Sequence, residues 1–283
     1  MENTWFPRTT VGGVSLSRMI IGSNWMLGYS HTSDAADREI RRYHSDIGRT
    51  EELFKVFLKN GIDTFMAPLD GSGHVLDAIK RAEDATGRGM ILVDTPIINV
   101  NNSEKAREEA RRQIHRSREL GAAFCLIHHS SAEELVCKNT RTIDRLPDYL
   151  SMIRDEGLIP GLSAHMPELI LYSDMNGYDV ETYIQIYNCM GFLMQIEVES
   201  VNRIIWDAKK PVMTIKSMAA GRTTPFIGLN FSWATLRDCD MVTVGCLTPD
   251  EAEQDIEISR AFFERRRPDM AGRSSPKKTE IIR

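Results

Sequence analysis

Several apolar runs in this chain end on a side chain that can move protons or hold a cation. Leu126-Ile127 leads into His128-His129, and Leu162-Ser163-Ala164 leads into His165. Ile215 precedes Lys216, Val93 precedes Asp94, and Ile62 precedes Asp63. Imidazole titrates near neutral pH and serves as general acid, general base or metal ligand. Carboxylates beside imidazoles complete either an acid–base pair or a divalent-metal site, and for the latter the set is His128 and His165 with Asp94 or Asp63. Lys216 reads as a Schiff-base lysine, as a cation facing a carboxylate or phosphate, or as a rim lysine. Each residue also has a purely structural reading. His128 and His129 can close a hydrogen bond at a strand end, and His165, just before Met166-Pro167, can fix a turn. Asp63 inside an apolar stretch is costly to bury unless paired, so it reads as a network anchor or a site carboxylate.

The elements that position these residues follow from hydrophobic patterning. Eight short apolar runs recur: Met19–Gly22, Gly61–Phe65, Met90–Asp94, Ala123–His128, Leu158–Ser163, Tyr183–Tyr187, Pro211–Ile215 and Met241–Gly245. Continuous apolar runs of this length suit strands buried on both faces, as in a parallel sheet. Helical patterns lie between them. Glu51 to Asn60 puts Leu53, Phe54, Phe57 and Leu58 on one face and stops at Gly61. Ser103 to Leu120 has a cap, an acidic start and basic residues after it, and Gly121 ends it. A further helix runs up to Glu156 before Gly157, and Pro249 to Glu264 opens with proline and acids. Eight βα units predict a single-domain (β/α)8 barrel with its core over residues 11–265, in preference to a doubly wound sheet. Val11–Leu16 reads as an N-terminal hairpin that plugs the bottom. Trp25–Arg49 reads as a long polar loop after strand one, in which Gly28 and Gly48 would be hinges and Trp25, Tyr29, Tyr43, His31 and His44 would form a lid. Residues 266–283, basic and rich in Ser, Pro and Lys, read as a mobile tail.

Composition narrows the function classes. The 283 residues carry 35 Lys and Arg against 40 Asp and Glu, a net charge of −5 that gives no pull toward nucleic acid or an anionic membrane. No apolar run reaches about 18 residues, and the first ten residues lack a secretory pattern, so neither a spanning helix nor export is expected. The five cysteines are odd in number and have no CxxC spacing, which disfavours a zinc ribbon or a disulfide framework and favours a reduced, cytoplasmic protein. The expected partner is a small-molecule substrate, and a homo-oligomer is allowed.

The order of the strand ends resembles the aldo-keto reductase superfamily over about residues 11–265. Val14–Gly22 is similar to that family's hairpin and first strand, and Gly61-Ile62-Asp63-Thr64 to its second, which carries the catalytic Asp. Leu126-Ile127-His128 resembles the fourth strand with the catalytic His. Gly161-Leu162-Ser163 and Gln185-Ile186-Tyr187-Asn188 resemble the segments that hold the nicotinamide, and Lys216–Gly221 lies where a "P-L-A-x-G" segment is usual. The resemblance thus implies Asp63 and His128 as catalytic residues, Ser163, Gln185 and Tyr187 as cofactor-binding residues, and NAD(P)H as cofactor.

The departures change the expected chemistry. The family's proton-donating Tyr is replaced by Pro68, its Lys by Pro96, and the Asn after Ser163 by Ala164. Without a phenol and its cation, the usual protonation of a developing alkoxide is lost. The stretch Thr248–Glu257, where the family often sets basic residues against cofactor phosphates, is acidic and holds no Lys or Arg. Two readings follow. The first is an enzyme for a small polar carbonyl or sugar-like substrate that works by acid–base or metal-assisted chemistry, as a lyase, isomerase or hydrolase. His128, His129, His165, Asp63 and Lys216 would be its catalytic groups. The second is a divergent NAD(P)H-dependent reductase with His128 as proton donor and Lys216 or His129 in place of the missing groups.

Overall fold

The structure is a computed structural model that describes residues 5–270. Eight parallel strands close into a barrel: β3 (Met19–Gly22), β4 (Thr64–Ala67), β5 (Ile91–Asp94), β6 (Phe124–Ile127), β9 (Ile159–Ala164), β10 (Thr182–Ile186), β11 (Val212–Ile215) and β12 (Met241–Val244). The closure is direct, since Val242 of β12 pairs with Met19 of β3. Ahead of the barrel, β1 (Arg8–Val11) and β2 (Val14–Ser17) form an antiparallel hairpin turned at Gly12-Gly13, both at positive φ. A second small ribbon, β7 (Val136–Cys137) with β8 (Thr142–Ile143), follows β6.

Helices form the outer ring: α3 (Ile47–Lys59), α4 (Gly73–Thr86), α5 (Glu104–Glu119), α7 (Leu146–Asp155), α8 (Glu168–Asn176), α9 (Val198–Asp207), α10 (Pro225–Thr235) and α11 (Pro249–Phe263). Their starts follow capping chemistry. The Ser103, Thr224 and Thr248 hydroxyls accept from the backbone N–H three residues on and occupy donors that the first helical turn leaves free. Among the described residues, no helix is long and apolar enough to cross a membrane.

Two apolar layers hold the fold. Ile20, Met66, Val93, Phe124, Ile184, Met213 and Met241 fill the barrel interior, and Val11 and Leu16 of the hairpin join them from below, so the hairpin does plug the bottom. The strands' other faces, with Phe65, Cys125, Leu162, Tyr183 and Val242, pack against the helices. Strand residues therefore alternate between interior and helix layer although both faces are apolar.

Two local expectations are corrected, and a third falls mostly outside the described residues. The second strand begins at Thr64, three residues later than its apolar run suggested, because Gly61-Ile62-Asp63 forms the turn into it. The segment Trp25–Arg49 is mostly helical: it contains the end of α1 (Asn24–Leu27), then α2 (Asp34–His44) capped by Ser33, then the start of α3. Its polar composition marks an exposed helix face. The basic tail expected over residues 266–283 lies mostly outside the described residues. Its first residue, Arg266, is held by Glu257, with Nη2 donating to Oε2 at 2.9 Å.

Candidate active site

A cavity of about 880 Å³ opens at the C-terminal ends of the barrel strands. That size suits a small organic substrate, and that end of a barrel is where strand-end side chains converge. Its floor is made by inward-facing residues, among them Met66, Ser163, Ile184 and Thr243. Thr243 is buried, and its hydroxyl has no hydrogen-bond partner among the described residues. An unmet polar group at the base of a cavity is a standing invitation to a polar ligand.

Three histidines line one wall. His128 follows β6 directly and caps the single-turn helix α6 (His129–Ala132), with Nδ1 accepting from the Ser130 N–H. Its ring centroid lies 4.2 Å from that of His129, which stacks on His165 at 3.7 Å with the planes 21° apart. His165 is presented by the turn after β9. The Glu133 carboxylate fixes that turn by accepting from the backbone N–H of His165 (2.6 Å) and of Met166 (2.8 Å). Burial holds all three imidazoles below their ordinary range, His128 at about 4 and His165 at about 3. The neighbouring Lys216 cation pushes each the same way. They are therefore neutral, proton-accepting groups at neutral pH.

Lys216 enters from the end of β11 with a left-handed backbone, φ 62°. Its carbonyl accepts from the Ala219 N–H at 2.7 Å, which locks the turn that carries it. Among the described residues, no carboxylate oxygen lies within 4.0 Å of its ammonium. Burial pulls its pKa from 10.5 to about 8. Across the mouth stands His31, also depressed by burial, with Nε2 3.2 Å from Asn24 Nδ2. Arg222 ties the two rims together by donating to the His31 carbonyl.

Five of the residues expected at the site thus come together: His128, His129, His165, Lys216 and Ser163. The others lie elsewhere. Asp63 precedes β4, so it sits at the opposite end of the barrel, where Arg8 of the hairpin pairs with it at 2.9 Å. Asp94 aligns with Ala67 and Cys125 on the helix-facing side and accepts from the Leu69 N–H at 2.9 Å. Burial raises its pKa. Gln185 is fully buried outside the cavity lining, with its amide nitrogen donating to the Ile186 carbonyl. Tyr187 packs on Phe231 and donates to the Thr235 hydroxyl. Of the expected lid residues, Trp25, Tyr29 and His31 line the cavity. Tyr43 is taken up by Arg49 and His44, and His44 is buried with Nδ1 2.9 Å from the Thr50 hydroxyl.

These placements bear on the expected cofactors. Asp63 and Asp94 do not join His128 and His165, and no group of three His, Cys, Asp or Glu that could hold a metal gathers among the described residues. Of the three residues expected to grip a nicotinamide, only Ser163 faces the cavity. The residues present therefore do not fit either group as expected. The sequence reading missed Thr243, Glu133 and Asp255. Asp255 lines the wall opposite the histidines beside Trp25 and Gly245, and burial lifts its carboxyl to about 7.

No protein-family model matches the chain, and no curated protein matches it significantly. Solved structures do. A Pseudomonas aeruginosa protein described as an aldo-keto reductase superimposes with a TM-score of 0.64 at 15% identity, covering 90% of this chain and 95% of that one. A glycerol dehydrogenase from Gluconobacter oxydans gives 0.58 at 12% identity, with 98% and 100% covered. An archaeal ribulose-1,5-bisphosphate carboxylase/oxygenase gives 0.54 at 10% identity over 92% of this chain and 61% of that one. These likenesses show the fold, a closed (β/α)8 barrel.

Proposed function

We propose that the protein is an enzyme for a small polar carbonyl or sugar-like compound and that it moves protons rather than hydride. The observation that carries this reading is the grouping, in one cavity, of three neutral imidazoles in ring contact, two of them stacked, with a lysine that has no carboxylate partner. A neutral imidazole can take a proton from the carbon next to a carbonyl, and at about 4 and about 3 His128 and His165 are weak bases that require the carbonyl to be activated. A nearby cation stabilises the oxyanion that develops, and its low-dielectric surroundings strengthen that effect. Lys216 supplies the cation, and His128, His129 and His165 supply proton acceptors. Ser163 and the unpartnered Thr243 hydroxyl supply hydrogen bonds for substrate oxygens. Asp255, at about 7, is a carboxyl that can return a proton at neutral pH. Isomerisation and elimination are the reactions these groups support. No step in this reading runs through a metal or a nicotinamide.

The test follows carbon-bound protons by NMR in D2O with dihydroxyacetone, hydroxyacetone and glyceraldehyde as probes. The protein is expected to exchange the protons next to the carbonyl of at least one of them. Replacing His128 and His165 together by Gln is expected to slow that exchange by about 100-fold or more, the usual scale for a lost general base. Exchange at the wild-type rate in the double variant would refute the reading.

A further inference from the structure

We infer that Lys216 is a covalent catalyst, whose ε-amine condenses with the substrate carbonyl to form a Schiff base. This deepens the proton-transfer reading and rests on it. A lysine that merely decorates a barrel rim keeps its ammonium in water or against a carboxylate. Among the described residues, Lys216 has no carboxylate against it, and it has only partial contact with water. It is partly buried in the cavity wall, where its charge acts on the imidazoles of His128, His129 and His165. The described ion pairs do not include it, although Glu251 and Asp255 line the same cavity. Its position is fixed by backbone: a left-handed φ of 62° at a non-glycine strand end, clamped by the Ala219 N–H, with Ala219, Ala220 and Gly221 also at positive φ. Such a conformation costs about 1 kcal/mol or more and is retained where the surrounding structure over-determines it. Burial also makes the neutral amine accessible near neutral pH.

The chemistry balances with the groups present. The neutral amine of Lys216 attacks the carbonyl carbon and forms a C–N bond, and the former carbonyl oxygen takes up a proton. Loss of that oxygen as water then breaks the C–O bond. In sum, ammonium plus carbonyl gives iminium plus one water, with no change in charge or oxidation state. The iminium acidifies the neighbouring C–H, and one of the neutral imidazoles accepts that proton to leave an enamine. Return of the proton to the same carbon restores the iminium. Water then adds to it and the C–N bond breaks, which releases the carbonyl compound with its proton exchanged and returns Lys216 as the free amine.

The experiment traps the adduct. The full chain is incubated with dihydroxyacetone, or separately with pyruvate, in the presence of sodium borohydride, and its intact mass and peptide map are recorded. One probe-sized increment per chain, mapped to Lys216 and lost in Lys216→Met, supports the inference. Labelling spread over surface lysines and unchanged in Lys216→Met overturns it. No adduct together with proton exchange that still depends on His128 and His165 overturns the Schiff base but leaves the proton-transfer reading standing. Absence of both overturns both. Lys216→Arg, which keeps the charge but cannot form the imine under these conditions, is expected to lose trapping while holding the fold. It serves as the second variant should Lys216→Met fold poorly.

Discussion

Holding a lysine in this cavity costs stability, and the cost is measurable. Lys216 falls from 10.5 to about 8 through burial. At about 1.4 kcal/mol per pH unit, that fall corresponds to about 3 kcal/mol. The side chain reaches solvent in part, so screening reduces the figure to about 2 kcal/mol. The sign follows from proton counting. The unfolded chain keeps the Lys216 proton up to 10.5, whereas the folded chain keeps it only up to about 8. Between those values the unfolded state binds more protons, so stability rises with pH. The penalty is complete below about pH 8 and is relieved as pH climbs toward 10.5. Lys216→Met, similar in length and uncharged, is therefore expected to unfold about 2 kcal/mol harder than the parent at pH 7, and by less than half that margin at about pH 9.5. Urea unfolding followed by tryptophan fluorescence, run on both proteins at both pH values, measures the difference and cancels the titrating groups that Lys216 does not act on. A variant less stable than the parent at pH 7, or a margin that ignores pH, would refute the reasoning.

Other expectations follow from the same geometry. Asp63→Asn breaks a partly exposed ion pair at the bottom of the barrel. It should lower stability by about 1 kcal/mol or less and leave proton exchange intact, so a loss of exchange with a normal melting curve would contradict its placement. Gly161→Ala would bring a methyl to 2.6 Å from Leu126 Cγ and 2.8 Å from the Thr182 carbonyl, so a loss of about 2 to 3 kcal/mol is expected in chemical unfolding. His128 and His165 bind protons in the unfolded chain near 6.5 but in the folded chain only at about 4 and about 3. Stability should therefore fall as pH drops below 6.5, with each imidazole contributing about 1 kcal/mol at pH 5 after screening; the His128→Gln, His165→Gln protein should show a flatter acid limb. Thr243→Val removes the unpartnered hydroxyl. Its unfolding free energy should match or exceed the parent's while exchange slows, and the reverse pattern would take Thr243 out of the site.

The barrel was legible because each strand is a short apolar run followed by an amphipathic helix, and no other fold accommodates eight such units as simply. The histidines, Ser163 and Lys216 were legible for a related reason: each stands at or just beyond the end of an apolar run, which in this fold is the mouth. What misled the reading was parity and register. In strands buried on both faces, the apolar pattern does not say which residues point inward. Met66, Val93 and Ile184 do, so Asp94 and Gln185, one residue on, face the helices. Tyr187, beyond the strand end, is drawn into the same layer by Phe231 and Thr235. Asp63 failed by register. Ile62 is as buried as a strand residue, yet it belongs to the turn before β4, and a slip of three residues moved the carboxylate from mouth to base. Thr243, Asp255 and Glu133 escaped notice because a hydroxyl in a strand, an acid in an amphipathic helix and an acid in a short turn look ordinary until their neighbours are known.

The likeness to aldo-keto reductases extends to the fold, and the proposed proton chemistry is not their hydride transfer. The most direct test is a titration of the purified protein with NADH and with NADPH, following nicotinamide fluorescence. With Gln185 and Tyr187 turned out of the cavity and an imidazole–lysine cluster lining it, the account predicts no saturable change up to millimolar cofactor. Saturable binding at micromolar concentration would contradict it and return the barrel to hydride transfer.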